Sequence, residues 1–395
     1  MMRYSRVGIA LIFTAITFSA SAYDGLVQKQ TFEMPTYTTV GGKTIKQVKV
    51  GYETYGKLNE KGDNAIMVCH FFSGNSHAAG KYKESDVAPG YWDSIIGPGK
   101  PIDTDKYFVI SSDTLTNVGL GDPNVITTGP GSINPDTGKP YGMTFPIVTM
   151  QDFVHVQKAL ADKLGIKKFV AVTGASMGSL QAVEWAASYP DMVERVIPVI
   201  PGGLEASPYL VEVVQTWMNP ILLDPNWNRG DYYGKEKQPT AGLAQALELV
   251  TINTRHPGWA ERVFGRKWAI EGKDPLQDWN HQYAIQEAIA KVGSSRAKIY
   301  DANSFLYLSK ANQLFRIANA PNLNDGLKRI KAKALFLPAS SDLLLFPDYS
   351  KKAVELLRKQ GNIAEYAEIP GDGGHLDGVT DVAKVGEKIR EFLKR

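Results

Sequence analysis

The chain has 395 residues, of which 43% are hydrophobic and 22% charged, and a formal net charge of +3. Such values fit a globular protein with a sizeable core, either one large α/β domain carrying an insertion or two domains. The near-neutral balance argues against nucleic acid or an anionic membrane as the main partner. The single cysteine, Cys69, excludes an internal disulfide and a cysteine-based metal cage.

In residues 1–22, Arg3 and Arg6 precede an uncharged, mainly apolar segment from Val7 to Phe18, and Ala20-Ser21-Ala22 follows. The pattern is that of a cleaved secretory signal peptide, and the segment is short for a membrane anchor, which needs about 20 apolar residues. A soluble periplasmic or secreted protein is the expectation, with no membrane contact after cleavage. Residues 23–202 then read as the first part of an α/β core. They open with an antiparallel hairpin at the sheet edge, signalled by alternation around Lys46 to Glu53. Ala65 to Cys69 is a buried strand, and Cys69 at its end is a buried small hydrophobe rather than a nucleophile. The strand runs into His70-Phe71-Phe72-Ser73-Gly74. His70 and His77, with no acidic cluster beside them, read as hydrogen bonders that order this loop. Tyr107 to Asp113 is a further strand, and residues 114–147 form a long loop. A helix is expected from Asp152 to Leu164, ending at Gly165.

The chain is organised around the next segment. Lys168 to Thr173 is a β-branched, apolar strand that feeds Gly174-Ala175-Ser176-Met177-Gly178, and good helix formers follow. Strand, Gly-x-Ser-x-Gly turn and helix together form an elbow that exposes a serine hydroxyl at a helix N-terminus. Side chains at Gly174 or Gly178 would collide with the neighbouring strand or helix. By analogy with serine hydrolases of this type, the Met177 amide and one from the loop after the earlier strand, that of Phe72 or less readily Phe71, form an oxyanion hole.

After a strand from Val193 to Ile200 the rhythm changes. Residues 203–328 are helical in pattern and carry five of the seven tryptophans, which suggests an inserted helical lid. Residues 329–395 return to the core, with strands at Lys333 to Pro338 and Ala364 to Ile369. Helices are expected at Asp348 to Gln360 and Val379 to Leu393. Asp342 follows the first of these strands, and His375 lies in a Gly-rich loop after the second. Serine, aspartate and histidine in that order are what an α/β-hydrolase requires: Ser176 as nucleophile, His375 as base, Asp342 to orient the imidazole. Asp348 is the reserve acid, although its place at a helix start already gives it a structural role. The fold expected is an α/β-hydrolase, a mostly parallel sheet with helices on both faces and an inserted lid.

Several strings make the chain resemble the homoserine O-acetyltransferase family of α/β-hydrolase-fold acyltransferases: GYETYGKLN at 51–59, SGNSHAAG at 73–80, GSINP at 131–135, GKPYG at 138–142, DPNW at 224–227, FGRK at 264–267, DANSFLYL at 301–308 and Ser341-Asp342. The resemblance implies the same triad, a lid over a tunnel to the serine and often a homodimer through the lid. It also marks two departures. The family's carboxylate-gripping arginine before Asp-Pro-Asn-Trp is replaced by Met218, read as substrate contact or lid packing. The aspartate expected directly after the catalytic histidine is displaced, since the order here is His375-Leu376-Asp377. Both changes disfavour homoserine. An exported serine hydrolase that cleaves an ester, less readily an amide or thioester, through an acyl-enzyme on Ser176 is therefore the leading expectation, its small-molecule acyl substrate largely apolar or uncharged around the acyl group, given the tryptophan-rich lid and Met218. An acyl-CoA-dependent O-acyltransferase and a catalytically silent binding protein are the alternatives. No metal or organic cofactor is implied.

Overall fold

The computed structural model describes residues 23–395; the signal segment expected at 1–22 lies outside the described residues. An eight-stranded sheet contains β1 (Gln30–Thr38), β2 (Thr44–Tyr55), β3 (Ala65–Cys69), β4 (Phe108–Ser112), β5 (Phe169–Ala175), β6 (Arg195–Val199), β7 (Lys333–Phe336) and β8 (Ala364–Tyr366). Their spatial order is β1-β2-β4-β3-β5-β6-β7-β8. The β1–β2 hairpin joins β4 antiparallel at one edge, and the remaining strands run parallel. Along β3, Ala65, Met67 and Cys69 enter one apolar cluster while Ile66 and Val68 enter the other. A pleated strand covered on both faces must be apolar at every position, which is why this segment reads as a continuous hydrophobic run.

Helices α1 (Met150–Lys163) and α2 (Met177–Ser188) cover the sheet. Helix α1 starts two residues before its expected position because Thr149 and Asp152 cap each other's backbone amides. Asp152 also accepts from Tyr37 Oη and the Val40 amide, both at 2.7 Å, which binds the edge hairpin to the helix. Between β6 and β7 the chain forms α3 (Pro208–Leu223), α4 (Thr240–Asn253), α5 (Pro257–Val263), α6 (Ala284–Arg296), α7 (Ala302–Gln313) and α8 (Leu323–Leu327). Helix α3 packs on α4 and α7, and α4 on α6.

The C-terminal segment departs from expectation. After α9 (Pro347–Lys359), the single helix expected from Val379 to Leu393 is broken into α10 (Asp377–Thr380), a 3-10 turn (Val382–Val385) and α11 (Gly386–Lys394). The Trp92 indole donates to the Gly378 carbonyl at 3.1 Å. That carbonyl would serve the Val382 amide in a continuous helix.

Candidate active site

Ser176 sits between β5 and α2 with φ 56° and ψ −119°. This is strained backbone for a residue with a side chain, and it persists only because its surroundings enforce it. Both flanking glycines are sterically required. A Cβ on Gly174 would lie 2.5 Å from the Cys69 carbonyl oxygen, and one on Gly178 would lie 2.1 Å from the same atom. The end of β3 is thus packed directly against the elbow. The Ser176 amide donates to the Val199 carbonyl at 3.0 Å, anchoring the turn to β6.

Residues distant in sequence converge on the serine. His375 Nε2 lies 2.8 Å from Ser176 Oγ, and His375 Nδ1 lies 2.6 Å from Asp342 Oδ2. His375 and Asp342 are both buried. Asp342 Oδ1 accepts from the Leu344 and Leu345 amides at 2.8 and 2.9 Å, so the turn after β7 fixes the carboxylate. With one oxygen held by two amides, the other is committed to the imidazole. Asp348 is not part of this chain: it lies on the first turn of α9, exposed, and pairs with Lys351 at 3.2 Å. Its position is inside the helix rather than at its cap, which is Phe346.

Met177 opens α2, so its amide has no intrahelical acceptor. Phe72 follows β3, and Phe71, Phe72, Met177 and Ser176 all line one cavity. The Phe72 ring packs edge-on against Trp217 and Phe305, at 6.1 and 5.1 Å. Tyr300 Oη donates to the Ser73 carbonyl at 2.9 Å. The helical insert therefore grips this loop at two points. His70 is fully buried, with Nδ1 2.7 Å from the Phe71 carbonyl and Nε2 accepting from the Thr114 amide at 3.2 Å. Burial pushes its imidazolium pKa down to about 4, so the ring is neutral and orders the loop. His77 contacts Glu53 at 3.0 Å and stacks on Tyr82. Burial alone would raise Glu53, yet hydrogen bonding from His77 and the Lys29 ammonium hold it down at about 2. Cys69 is fully buried, and burial pushes its thiol well above the ordinary range. Among the described residues no group of three or more His, Cys, Asp or Glu side chains could hold a metal ion.

The cavity, of about 330 Å³, is walled by Leu210, Val214 and Trp217 of α3, and by Leu344, Leu345 and Leu376. Met218 does not line it. This side chain, read as either a substrate contact or lid packing, is 8% exposed and packs into the core, in the same apolar cluster as one face of the sheet. One residue is 100° of helix, and the spacing 210, 214, 217 aims the preceding tryptophan at the cavity instead. That spacing was a readable signal for the wall. Two cations missed in the sequence also line the cavity: Arg255, just past α4, and Arg296, the last residue of α6. Leu376 stands beside His375 in the wall. Asp377 is turned away, accepting from the Gly373 amide at 3.1 Å and Ser341 Oγ at 3.4 Å.

A family model described as alpha/beta hydrolase fold matches residues 127–381. A homoserine O-acetyltransferase of Deferribacter desulfuricans is 39% identical over 356 residues, covering 90% of this chain and 92% of that protein. The chain belongs to the homoserine O-acetyltransferase family, with the α/β-hydrolase fold. Among solved structures, homoserine O-acetyltransferase from Bacillus anthracis is 42% identical with a TM-score of 0.88, covering 94% of this chain and 98% of that one. Esterase E22 is 51% identical with a TM-score of 0.89, covering 93% of this chain and all of that one. The fold class expected from the sequence is thus established, and this member of the family is an enzyme.

Proposed function

We propose that the protein is a serine acyl-transferring enzyme that forms an acyl-enzyme on Ser176 from a small ester, with water as the acceptor. The observation that carries the acyl-enzyme reading is the hydrogen-bonded chain Ser176–His375–Asp342 opening onto a largely apolar cavity of about 330 Å³. Ser176 Oγ attacks the acyl carbonyl as His375 Nε2 takes its proton, and the Met177 and Phe72 amides receive the developing oxyanion. His375 returns the proton to the departing alkoxide. Water, deprotonated by His375, then attacks the acyl-serine, the bond to Ser176 Oγ breaks, and the acid leaves. Asp342 keeps the Nδ1–H tautomer and steadies the imidazolium. Helices α3–α8 act as the lid.

Water as acceptor is supported by the composition of the wall. No carboxylate lines the cavity, so an amino-acid ammonium would enter without a partner. The 51% identity to esterase E22 agrees with that reading. So does the leader at residues 1–22, which as an export signal would remove the protein from cytoplasmic acyl-CoA, to the periplasm or beyond. The second reading is O-acetyl transfer to homoserine from acetyl-CoA, favoured by the names of the relatives that define the family.

One assay separates the two. Purified protein and Ser176→Ala are given acetyl-CoA with and without homoserine, alongside a series of p-nitrophenyl esters. Ester cleavage that vanishes in the variant, with no homoserine-dependent CoA release, is the expected result. Homoserine-dependent CoA release would move the conclusion to the transferase, and an inert protein that a fluorophosphonate fails to label at Ser176 would overturn both.

A further inference from the structure

The catalytic cavity carries positive charge in its wall, and the acidic neighbour that acts on it, Asp377 on Arg255, stands outside the lining. Arg255 and Arg296 are in its lining, and that lining contains no aspartate or glutamate. Neither guanidinium is within 4.0 Å of a carboxylate among the described residues, and Arg255 Nε is buried without a hydrogen-bond partner. Other partly or fully exposed arginines behave differently. Arg262, Arg316 and Arg390 each donate to a carboxylate, while Arg229 and Arg329, which have no such partner, stand exposed in solvent. Arg255 and Arg296 are both half-buried, where an unmatched cation is costly.

Arg255 is also held in place. Its guanidinium lies 4.4 Å from the Trp259 ring, stacked as a cation on an aromatic face. Its backbone is packed on the catalytic loop: a Cβ on Gly374 would lie 2.9 Å from the Arg255 carbonyl carbon. Gly374 directly precedes His375, so the position of Arg255 is tied to that of the base. The adjoining α5 is latched to the same loop by a two-pronged Arg262–Asp372 pair at 2.9 and 2.7 Å. Arg255 lies in the wall between the catalytic cavity and a neighbouring one bordered by Tyr209 and His256, and a planar guanidinium held in such a wall is suited to bidentate recognition of a carboxylate.

We infer that Arg255 and Arg296 form an anion-reading subsite, and that the preferred substrate is a small ester bearing a carboxylate away from the scissile bond. The inference rests on the acyl-enzyme reading above and names the substrate class of that site. The carboxylate belongs to the acyl part, as in a hemiester of a dicarboxylic acid, or to the alcohol part, as in an acylated hydroxy acid. A cavity of about 330 Å³ is at the small end of ligand pockets and suits either.

The test compares isosteric pairs. For the acyl part, p-nitrophenyl hemisuccinate is set against p-nitrophenyl 4-methylpentanoate. For the alcohol part, 4-acetoxybutyrate is set against 4-methylpentyl acetate. In the wild type the anionic member of one pair is expected to have the higher kcat/KM, by at least about ten-fold. That ratio should collapse in Arg255→Met and Arg296→Gln, return in part in Arg255→Lys, and shrink in high salt. A ratio near one for both pairs, or a preference that survives both neutral variants, overturns the inference while leaving the acyl-enzyme reading intact. Calorimetric titration of glutarate into Ser176→Ala reads the subsite without turnover. Binding that the Arg255→Met change abolishes supports it, and no binding refutes it even if no ester is cleaved.

Discussion

Replacing Asp342 by asparagine tests the catalytic chain at its most constrained atom. Oδ1 accepts from two buried amides, Leu344 and Leu345, while Oδ2 faces His375 Nδ1 at 2.6 Å. In Asp342→Asn the amide oxygen must keep the two backbone bonds, which turns the NH₂ group toward the imidazole. The ring can then only accept at Nδ1, so its proton moves to Nε2 and it can no longer take one from Ser176. Flipping the asparagine would leave two buried N–H groups facing an NH₂, at a cost of roughly 4 kcal/mol, or about a thousand-fold. Loss of the negative charge beside the imidazolium adds to this. The expected fall in kcat is about 10³ to 10⁴-fold, with KM little changed. The assay is steady-state cleavage of p-nitrophenyl acetate together with the rate of fluorophosphonate labelling, and a thermal melt checks folding. A loss of less than about ten-fold with the fold intact would show that Asp342 does not set the tautomer. Asp348→Asn serves as the matched control, with activity unchanged within about two-fold.

Three further outcomes are expected. Gly178→Ala places a methyl 2.1 Å from the Cys69 carbonyl oxygen, a backbone atom, so it should cost about 1–3 kcal/mol in stability and slow fluorophosphonate labelling; a wild-type melting temperature would contradict the packing described. Leu376→Asp puts a carboxylate in the cavity wall next to His375, and should raise homoserine-dependent release of CoA from acetyl-CoA relative to ester hydrolysis; an unchanged ratio would mean that the missing ammonium partner is not what limits transfer. Glu184 is buried, its carboxylate accepting from Ser188 Oγ and the Ala318 amide, and burial lifts its pKa to about 7. A raised acid pKa means a contribution to stability that is complete below the unfolded value near 4.5 and is lost as pH rises through about 7. Glu184→Gln does not titrate, so relative to wild type its stability should improve between pH 5 and 8, by up to roughly 3 kcal/mol. Melting curves whose difference is flat across that range would refute the shift.

The parts of this protein that can be read from its residues are those set by local pattern. Apolar runs such as Ala65 to Cys69 are continuous because a central parallel strand is buried on both faces, and Gly174 and Gly178 are legible because a strand-to-helix elbow leaves no space for a Cβ there. The order Ser176, Asp342, His375 could be placed because each follows a strand end, where loops of such a sheet gather at one edge. Convergence without periodicity is not legible in this way. Arg255 lies just past the end of α4 and Arg296 ends α6, and the two meet in one cavity only through the packing of α4 on α6. The sequence leaves open whether Met218 touches substrate or packs in the lid, and Trp217 takes the cavity wall because the rotation of α3 is set by what it packs on. The C-terminal helix is interrupted by an indole from residue 92, a partner almost three hundred residues away in the chain. Propensity and spacing act over a few residues, whereas cavity walls and helix breaks of this kind depend on side chains that tertiary packing brings together.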